Sequence, residues 1–186
     1  MRLQRYDNHI NRAVCIMFFC LLFPTIIQAQ TPFRDRVFDQ VKTLDSVYYA
    51  TAKNFGGTDV NLHMDIYLPD TLDNRERPLI IFGHGGTFLS GSRKSPDLVI
   101  MCNELAQRGY ICASIDYRKG INVLREFKDE FAKAAWRAMQ DHRTAIRYFR
   151  RSYAKGNPYH IDTSQIFLGG VSAGAIASLH AGFQTD

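Results

Sequence analysis

The sequence predicts an α/β fold in which helices cover both faces of a mainly parallel sheet. Three observations support this class: strand patterns alternate with helix patterns, several strands are continuously apolar, and glycine-rich segments follow two of them. The 186 residues are 46% hydrophobic with a net charge of +5, which is ordinary for a globular protein. Because the basic residues are scattered among acidic ones, we expect no nucleic acid partner.

The first 29 residues have the pattern of a secretory signal peptide. Three arginines precede an apolar run from Ala13 to Phe23, and Ile27-Gln28-Ala29 approximates a signal peptidase site. An uncleaved membrane anchor is the alternative, but Pro24 interrupts the run, which is shorter than the roughly 20 apolar residues that a span needs. We therefore predict cleavage after Ala29, a secreted or periplasmic location, and no membrane contact after cleavage.

Cleavage would leave two cysteines, Cys102 and Cys112. Export permits a disulfide, but Cys102 shares a helix face with apolar residues and Cys112 lies in an apolar run. We predict two buried free thiols. No spacing of Cys and His resembles a zinc site, and we expect neither a metal nor an organic cofactor.

The first two strands are predicted to form a hairpin. Residues Val60 to Leu68 alternate between apolar and polar, which is the pattern of a strand with one buried face. Val47 to Ala52 predicts its partner, joined to it through Gly56-Gly57. We interpret residues 30–45 as a lead-in segment and residues 46–186 as the main domain.

Strands and helices then alternate. Leu79 to Phe82 is continuously apolar, as expected for a central strand covered on both faces. Ser95 and Pro96 have the pattern of a helix start, and Gly109 ends that helix after Arg108. Tyr110 to Asp116 predicts another buried strand.

A long amphipathic helix is predicted around residues 135–149, where apolar side chains recur every three and four residues. Trp136 and His142 are interpreted as packing residues. Its outer face carries Arg143, Arg147, Arg150 and Arg151, interpreted as a solvated face, with a patch for an anionic ligand as the alternative. Ile166 to Leu168 predicts a third buried strand, which leads into Gly169-Gly170.

The segment Gly170-Val171-Ser172-Ala173-Gly174 fits the pattern G-x-S-x-G between a buried strand and a helix. This context requires a sharp turn that exposes the serine hydroxyl above the sheet edge, at the start of the helix. Ser172 is therefore a candidate nucleophile. The backbone N–H of Ala173 is expected to point into the same space.

A second glycine-rich segment, Gly83 to Phe88, follows the strand at Leu79 to Phe82. Gly85 and Gly86 allow the backbone to approach a substrate carbonyl and to present N–H donors to an oxyanion. His84 is interpreted as a loop-organising hydrogen-bond group and not as the base. Either glycine cluster alone is compatible with a tight turn. Neither phosphate-binding motif matches. The dinucleotide-binding pattern would need a glycine where Phe88 stands, and the Walker pattern would need a lysine where Ala175 stands.

Taken in order, these motifs resemble landmarks of the α/β-hydrolase esterases. The landmarks are Ile66 to Pro69, His84 to Gly86, Arg108 to Tyr110, Asp116 to Arg118, Gln140 to Tyr148 and Gly170 to Gly174. They are similar to those of secreted carboxylesterases of the acetylxylan and feruloyl esterase kind. The resemblance implies a serine carboxylesterase in which Ser172 is the nucleophile and Gly85, Gly86 and Ala173 form the oxyanion hole. Thr87 departs from the third glycine of many relatives.

The resemblance also implies a triad order of Ser, then Asp or Glu, then His. Only 14 residues follow Ser172, and His180 would lie roughly 12 Å from it along a helix. We therefore expect the amino-terminal part of an esterase, with its sheet incomplete at the C-terminus and inactive alone. The expected substrates are small-molecule or polysaccharide-linked esters. The alternatives are an amidase or formamidase, and an exported, catalytically silent binding protein on a hydrolase scaffold.

Overall fold

Strands and helices alternate along the described chain after an N-terminal hairpin. The computed structural model describes residues 31–70, 73–122 and 124–184. The strands are β1 (Val41–Lys53), β2 (Asp59–Pro69), β3 (Arg77–Gly83), β4 (Ile111–Ile115) and β5 (Ile161–Gly170). The helices are α1 (Pro96–Ala106), α2 (Phe127–Ala154) and α3 (Ala173–Phe183). Each predicted element is present with shifted ends. The predicted signal peptide, residues 1–29, lies outside the described residues.

The strands form one mixed sheet in the order β1-β2-β4-β3-β5. β2 pairs antiparallel with both β1 and β4, and β3 pairs parallel with both β4 and β5. The parallel character predicted for the sheet is therefore confined to β3, β4 and β5. The connection over residues 70–76 is shorter than the dozen or more residues that a parallel crossover needs, so β3 runs opposite to β2.

The predicted hairpin is confirmed, and its first strand is longer than expected. β1 begins at Val41 and not at Val47, so it includes the end of the predicted lead-in segment. At the turn, the side-chain oxygen of Asn54 accepts hydrogen bonds from the N–H groups of Gly56 (2.9 Å) and Thr58 (3.0 Å). The preceding residues attach to the end of α1, where Val37 and Phe38 donate to the carbonyl of Gln107.

The second half of β2 is buried on both faces, which corrects the prediction of one buried face. Met64 and Ile66 pack into the core as expected, but Asp65 and Tyr67 are also buried. Tyr67 is covered by α1, and the Asp65 carboxylate is bonded to a partly buried arginine, Arg93. The alternation in the sequence shows which residues are apolar and which are polar. Whether the polar face is buried depends on the elements that cover it.

Helices cover both faces of the sheet, as predicted. α2 packs on one face through Ala145 and Phe149, and α1 packs on the other through Leu98 and Cys102. Cys102 and Cys112 are both buried and free, which confirms that prediction. Burial raises the pKa of the Cys112 thiol well above its ordinary value, so this thiol is not a reactive thiolate.

β5 is a partly exposed strand at one edge of the described sheet, and the prediction of a buried strand was wrong. The side chain of Phe167 is 51% exposed, and those of Ile166 and Leu168 are half-buried. A groove of about 610 Å³ lies beside them, between α2, β5 and α3. The residue types show that a strand is apolar, but the strand is buried only where neighbouring elements cover it on each side.

Two predictions for α2 also need correction. Trp136 is 47% exposed and is not a core residue, because it lines an open groove between β1 and α2. Arg143 is half-buried, and its guanidinium donates to the carbonyls of Ala181 and Gln184 at the end of α3. His142 is fully buried, as predicted. Within the described ranges, no helix combines the length and hydropathy needed to cross a bilayer.

Candidate active site

Ser172 occupies the sharp turn between β5 and α3. Its backbone has φ +51° and ψ −114°, a conformation that a residue with a Cβ rarely adopts and that is held only by its surroundings. Two backbone hydrogen bonds fix the turn: Val171 N–H donates to the Gly83 carbonyl (3.1 Å), and Gly174 N–H donates to the Val171 carbonyl (2.9 Å). The serine itself is exposed. The strained, exposed turn predicted from the motif is therefore present.

The two outer glycines of the motif are required by close backbone packing. A Cβ on Gly174 would lie 2.1 Å from the carbonyl oxygen of Gly83, and a Cβ on Gly170 would lie 2.5 Å from the carbonyl carbon of Gly174. The absence of side chains here lets α3 start directly against the end of β3. This contact joins the serine turn to the other glycine-rich segment.

The segment after β3 lies beside the serine. A Cβ on Gly85 would be 3.6 Å from the Cβ of Ser172 and 3.4 Å from the carbonyl oxygen of Val171. The structure thus brings together Gly85, Ser172 and its neighbour Ala173, three of the four residues predicted for the site. The predicted oxyanion hole requires the two segments to lie this close together.

Gly86, the fourth predicted residue, forms the turn that closes this segment. Its φ is +113°, and its carbonyl accepts hydrogen bonds from Leu89 (2.9 Å) and Ser90 (3.0 Å). A Cβ on Gly86 would lie 2.4 Å from the Ser90 carbonyl oxygen. The nearest neighbours of Gly86 are therefore atoms of this turn, and Ser172 is not among them. The next residue, Thr87, also has a positive φ, +56°.

His84 organises the loop, as predicted. Its Nδ1 donates to the carbonyl oxygen of Gly85 (2.6 Å), which fixes the proton on Nδ1 because a carbonyl can only accept. Tyr117 stacks on the imidazole with ring centroids 4.2 Å apart, and its hydroxyl donates to the His84 carbonyl (2.7 Å). Burial lowers the pKa of His84, so the ring is neutral at pH 7. The sequence analysis assigned no role to Tyr117, although it lies in the landmark Asp116 to Arg118.

His142 lies below the same segment. A Cβ on Gly83 would be 2.5 Å from the Nε2 of His142, and the Nδ1 of this ring donates to the carbonyl of Ala138 (2.7 Å). Tyr117 contacts this ring too, with centroids 5.9 Å apart. Burial lowers the pKa of His142 to about 4. The imidazole therefore packs as a neutral support under the serine turn.

The burial of His142 predicts a loss of stability in acid. Its pKa is about 4 in the folded state and ordinarily 6.5, so below pH 6.5 the unfolded chain binds a proton that the folded chain excludes. The free energy of unfolding should fall as pH decreases from 6.5 to about 4, by about 3 kcal/mol for this group alone. Urea unfolding at pH 7, 5.5 and 4 measures the loss. His142→Gln should show a smaller decrease, with His84 and the carboxylates whose pKa is lowered by hydrogen bonds and ion pairs, such as Glu104, supplying the remainder; an unchanged decrease would contradict the assignment.

A charged cluster anchors the chain after the Gly86 turn. The guanidinium of Arg93 bonds to Asp65 (2.7 Å) and Asp116 (2.6 Å), and its backbone carbonyl accepts from the Ser114 hydroxyl (2.7 Å). The mostly buried Arg93 fastens this loop to β2 and to the end of β4. No pattern in the sequence indicated this network, because Asp65, Ser114 and Asp116 lie 21 to 28 residues from Arg93.

No general base lies against the serine in the part of the chain that the structure describes. His180 is exposed on α3, about 12 Å along the helix from Ser172. His84 and His142 donate from Nδ1 to backbone carbonyls, and the Nε2 of each ring, the atom that would accept a proton, is buried and forms no hydrogen bond to Ser172. The described residues also include no group of acidic, histidine or cysteine side chains arranged to hold a metal ion.

Comparison with known proteins identifies the family. Residues 64–186 match the BD-FAE family. Esterase LipC of Mycobacterium tuberculosis is 29% identical over 131 residues, which are 70% of this chain and 29% of that protein. The structure of Thermogutta terrifontis esterase 2 phosphorylated by paraoxon is 26% identical and has a TM-score of 0.53, covering 77% of this chain and 47% of that one.

A second structure of that esterase, phosphoramylated by tabun, is 26% identical with a TM-score of 0.53, over 77% of this chain and 46% of that one. The chain thus spans less than half the length of these relatives. The family match covers the buried half of β2, both glycine-rich segments and the serine turn. The chain therefore belongs to the BD-FAE family and has the α/β-hydrolase fold.

Proposed function

We propose that the protein containing this chain is a serine hydrolase of carboxylic esters and that Ser172 is its nucleophile. The observation that carries the proposal is the turn itself: an exposed serine at φ +51° with the backbone of Gly85 beside it. Strain of this kind is retained where a function requires it. The phosphorylation of Thermogutta terrifontis esterase 2 by paraoxon adds support from a relative.

In this mechanism, the Oγ of Ser172 attacks the ester carbonyl carbon while a base accepts its proton. The N–H groups of Ala173 and of the Gly85-Gly86 segment stabilise the oxyanion. The carbon–oxygen bond to the alcohol then breaks, the alcohol takes the proton, and water hydrolyses the acyl-enzyme by the same route. We propose that the base and its acid partner come from residues after Asp186, since neither His84, His142 nor His180 is available.

An organophosphonate label tests the nucleophile. After reaction of the full-length protein with a fluorophosphonate, mass spectrometry of the peptides should find the adduct on Ser172. Ser164→Ala is the matched control, because Ser164 is an exposed serine of β5 whose hydroxyl donates to Asp162. Labelling should survive in this control and disappear in Ser172→Ala. An adduct on another serine would contradict the proposal.

We further propose that the protein is exported and that small-molecule or polysaccharide-linked esters are its substrates, without nucleic acid or membrane contact after cleavage. The arginine-flanked apolar run before Ala29 supports export. Amino-terminal sequencing of the protein isolated from outside the cytoplasm should find Gln30 first. Detection of Met1 on that exported form would contradict cleavage.

A further inference from the structure

Two adjoining grooves lie between β1 and α2. The first, about 400 Å³, is lined by residues 50–52 of β1 and by residues of α2 between 136 and 147. The second, about 380 Å³, is lined by Tyr48 and Tyr49 and by residues between 148 and 159. Because successive residues of the same strand and helix line them, the grooves follow one another. We call this pair of grooves the β1–α2 trough.

The helix wall of the trough is strongly basic. Its exposed cations are Arg147, Arg151 and Lys155, and the sequence from residue 143 to 161 contains no acidic residue. Arg147, Arg151 and Lys155 are exposed and recur every four residues, about 6 Å apart along the axis. None of the three forms an ion pair within the described ranges. The one carboxylate in the lining, Asp141, is buried and bonded to Arg118 (2.8 Å).

Aromatic and hydrogen-bonding side chains lie between these cations. Trp136 at one end is 47% exposed, and Tyr48 on the strand is 52% exposed. Tyr148 and Tyr159 join their hydroxyls at 2.9 Å in the second groove. The first groove also contains the amide and hydroxyl groups of Gln140, Thr144 and Thr51. The trough therefore offers ring faces, neutral polar groups and regularly spaced positive charges.

We propose that the β1–α2 trough binds a linear acidic polysaccharide, a polymer of sugar acids with one carboxylate on each unit. Arginine forks pair with carboxylates in bidentate fashion, the amide and hydroxyl groups suit a ligand rich in hydroxyls, and the exposed rings suit the apolar faces of sugars. This site extends beyond the proposed esterase chemistry and does not depend on Ser172.

Two other polyanions fit the trough less well. Duplex nucleic acid carries one charge per roughly 1.7 Å of its length, whereas the trough offers one cation per 6 Å or so of helix. An anionic membrane surface is bound by apolar side chains that protrude, but here the tyrosines line a concave surface with their hydroxyls hydrogen-bonded. Both remain outcomes of the test.

Trp136 lines the trough, so the part of a fluorescence change that the variant Trp136→Phe removes reports on the trough. Titration of the purified full chain with polygalacturonate should change the Trp136 fluorescence saturably and weaken as salt rises. Arg147→Gln/Arg151→Gln should lower the affinity at least about tenfold, in line with the loss of two charge-assisted contacts. Arg125→Gln/Lys128→Gln removes the same charge from exposed residues outside the trough and should stay within about twofold.

Each other result overturns the proposal. An absent fluorescence change, or equal weakening by the two double variants, would show that the trough does not bind the polyuronate. If neutral xylan bound as tightly as polygalacturonate, the carboxylates of the ligand would not be what the trough recognises. Tighter binding of a DNA duplex or of phosphatidylserine vesicles would assign the trough to another polyanion. Because the readout is binding, Ser172→Ala should leave it unchanged, so failure here and failure of the esterase proposal are distinguishable.

Discussion

Ser172→Ala is expected to lower kcat/KM for an activated acetyl ester by about 10⁴- to 10⁶-fold in the full-length protein, because the alanine cannot form the acyl-enzyme. Steady-state hydrolysis measures the loss. Residual turnover well above the buffer rate is expected, since the loop at Gly85 and the N–H of Ala173 remain to stabilise an oxyanion. A variant that kept one tenth of the native rate would show that another group is the nucleophile.

Ser172→Gly separates the loss of the hydroxyl from damage to the fold. The backbone at this position has φ +51°, a region that glycine enters without steric cost. We expect this variant to be as inactive as Ser172→Ala and yet more stable than the native protein, by up to about 1 kcal/mol in urea unfolding. An inactive variant that was also strongly destabilised would mean that activity was lost through unfolding.

The serine turn was predictable because its requirements are local. A strand, a G-x-S-x-G pattern and a helix follow one another. The sharp turn between the strand and the helix allows the serine few backbone conformations. The same reasoning predicted that His84 organises its own loop, since its Nδ1 bonds to the carbonyl of the next residue, Gly85. Hydrogen bonds between residues that are close in sequence can be predicted from the motif that contains them.

The supports beneath the turn were not predictable, because they depend on contacts between distant residues. Tyr117 bonds to a carbonyl 33 residues away, and His142 fills the space beside Gly83 from the middle of α2. Helix periodicity indicated that His142 is buried but not what it contacts. The predictions that Phe167 and Trp136 are buried were wrong for the same reason. Apolarity is a property of the residue, whereas burial depends on its neighbours.

Gly174→Ala is expected to destabilise the fold by more than about 4 kcal/mol or to prevent folding altogether. The added Cβ would lie 2.1 Å from the Gly83 carbonyl oxygen and 2.7 Å from that of His84. Both atoms are backbone at the end of β3, where strand pairing on both sides prevents a shift. The clash would also separate the serine turn from the segment that contains Gly85, so any folded fraction should lose ester hydrolysis.

Gly182→Ala is the matched control, because it makes the same substitution on the same helix at a position where, among the described residues, nothing beyond the neighbouring helix backbone lies within 4 Å of the new Cβ. Alanine has the higher helix propensity, so this variant should be neutral or more stable by up to about 1 kcal/mol. Urea unfolding and soluble yield of the full-length protein compare the two. A Gly174→Ala variant within 1 kcal/mol of the native protein would show that β3 and α3 can separate here, and that the close contact of the two glycine-rich segments does not hold the site together.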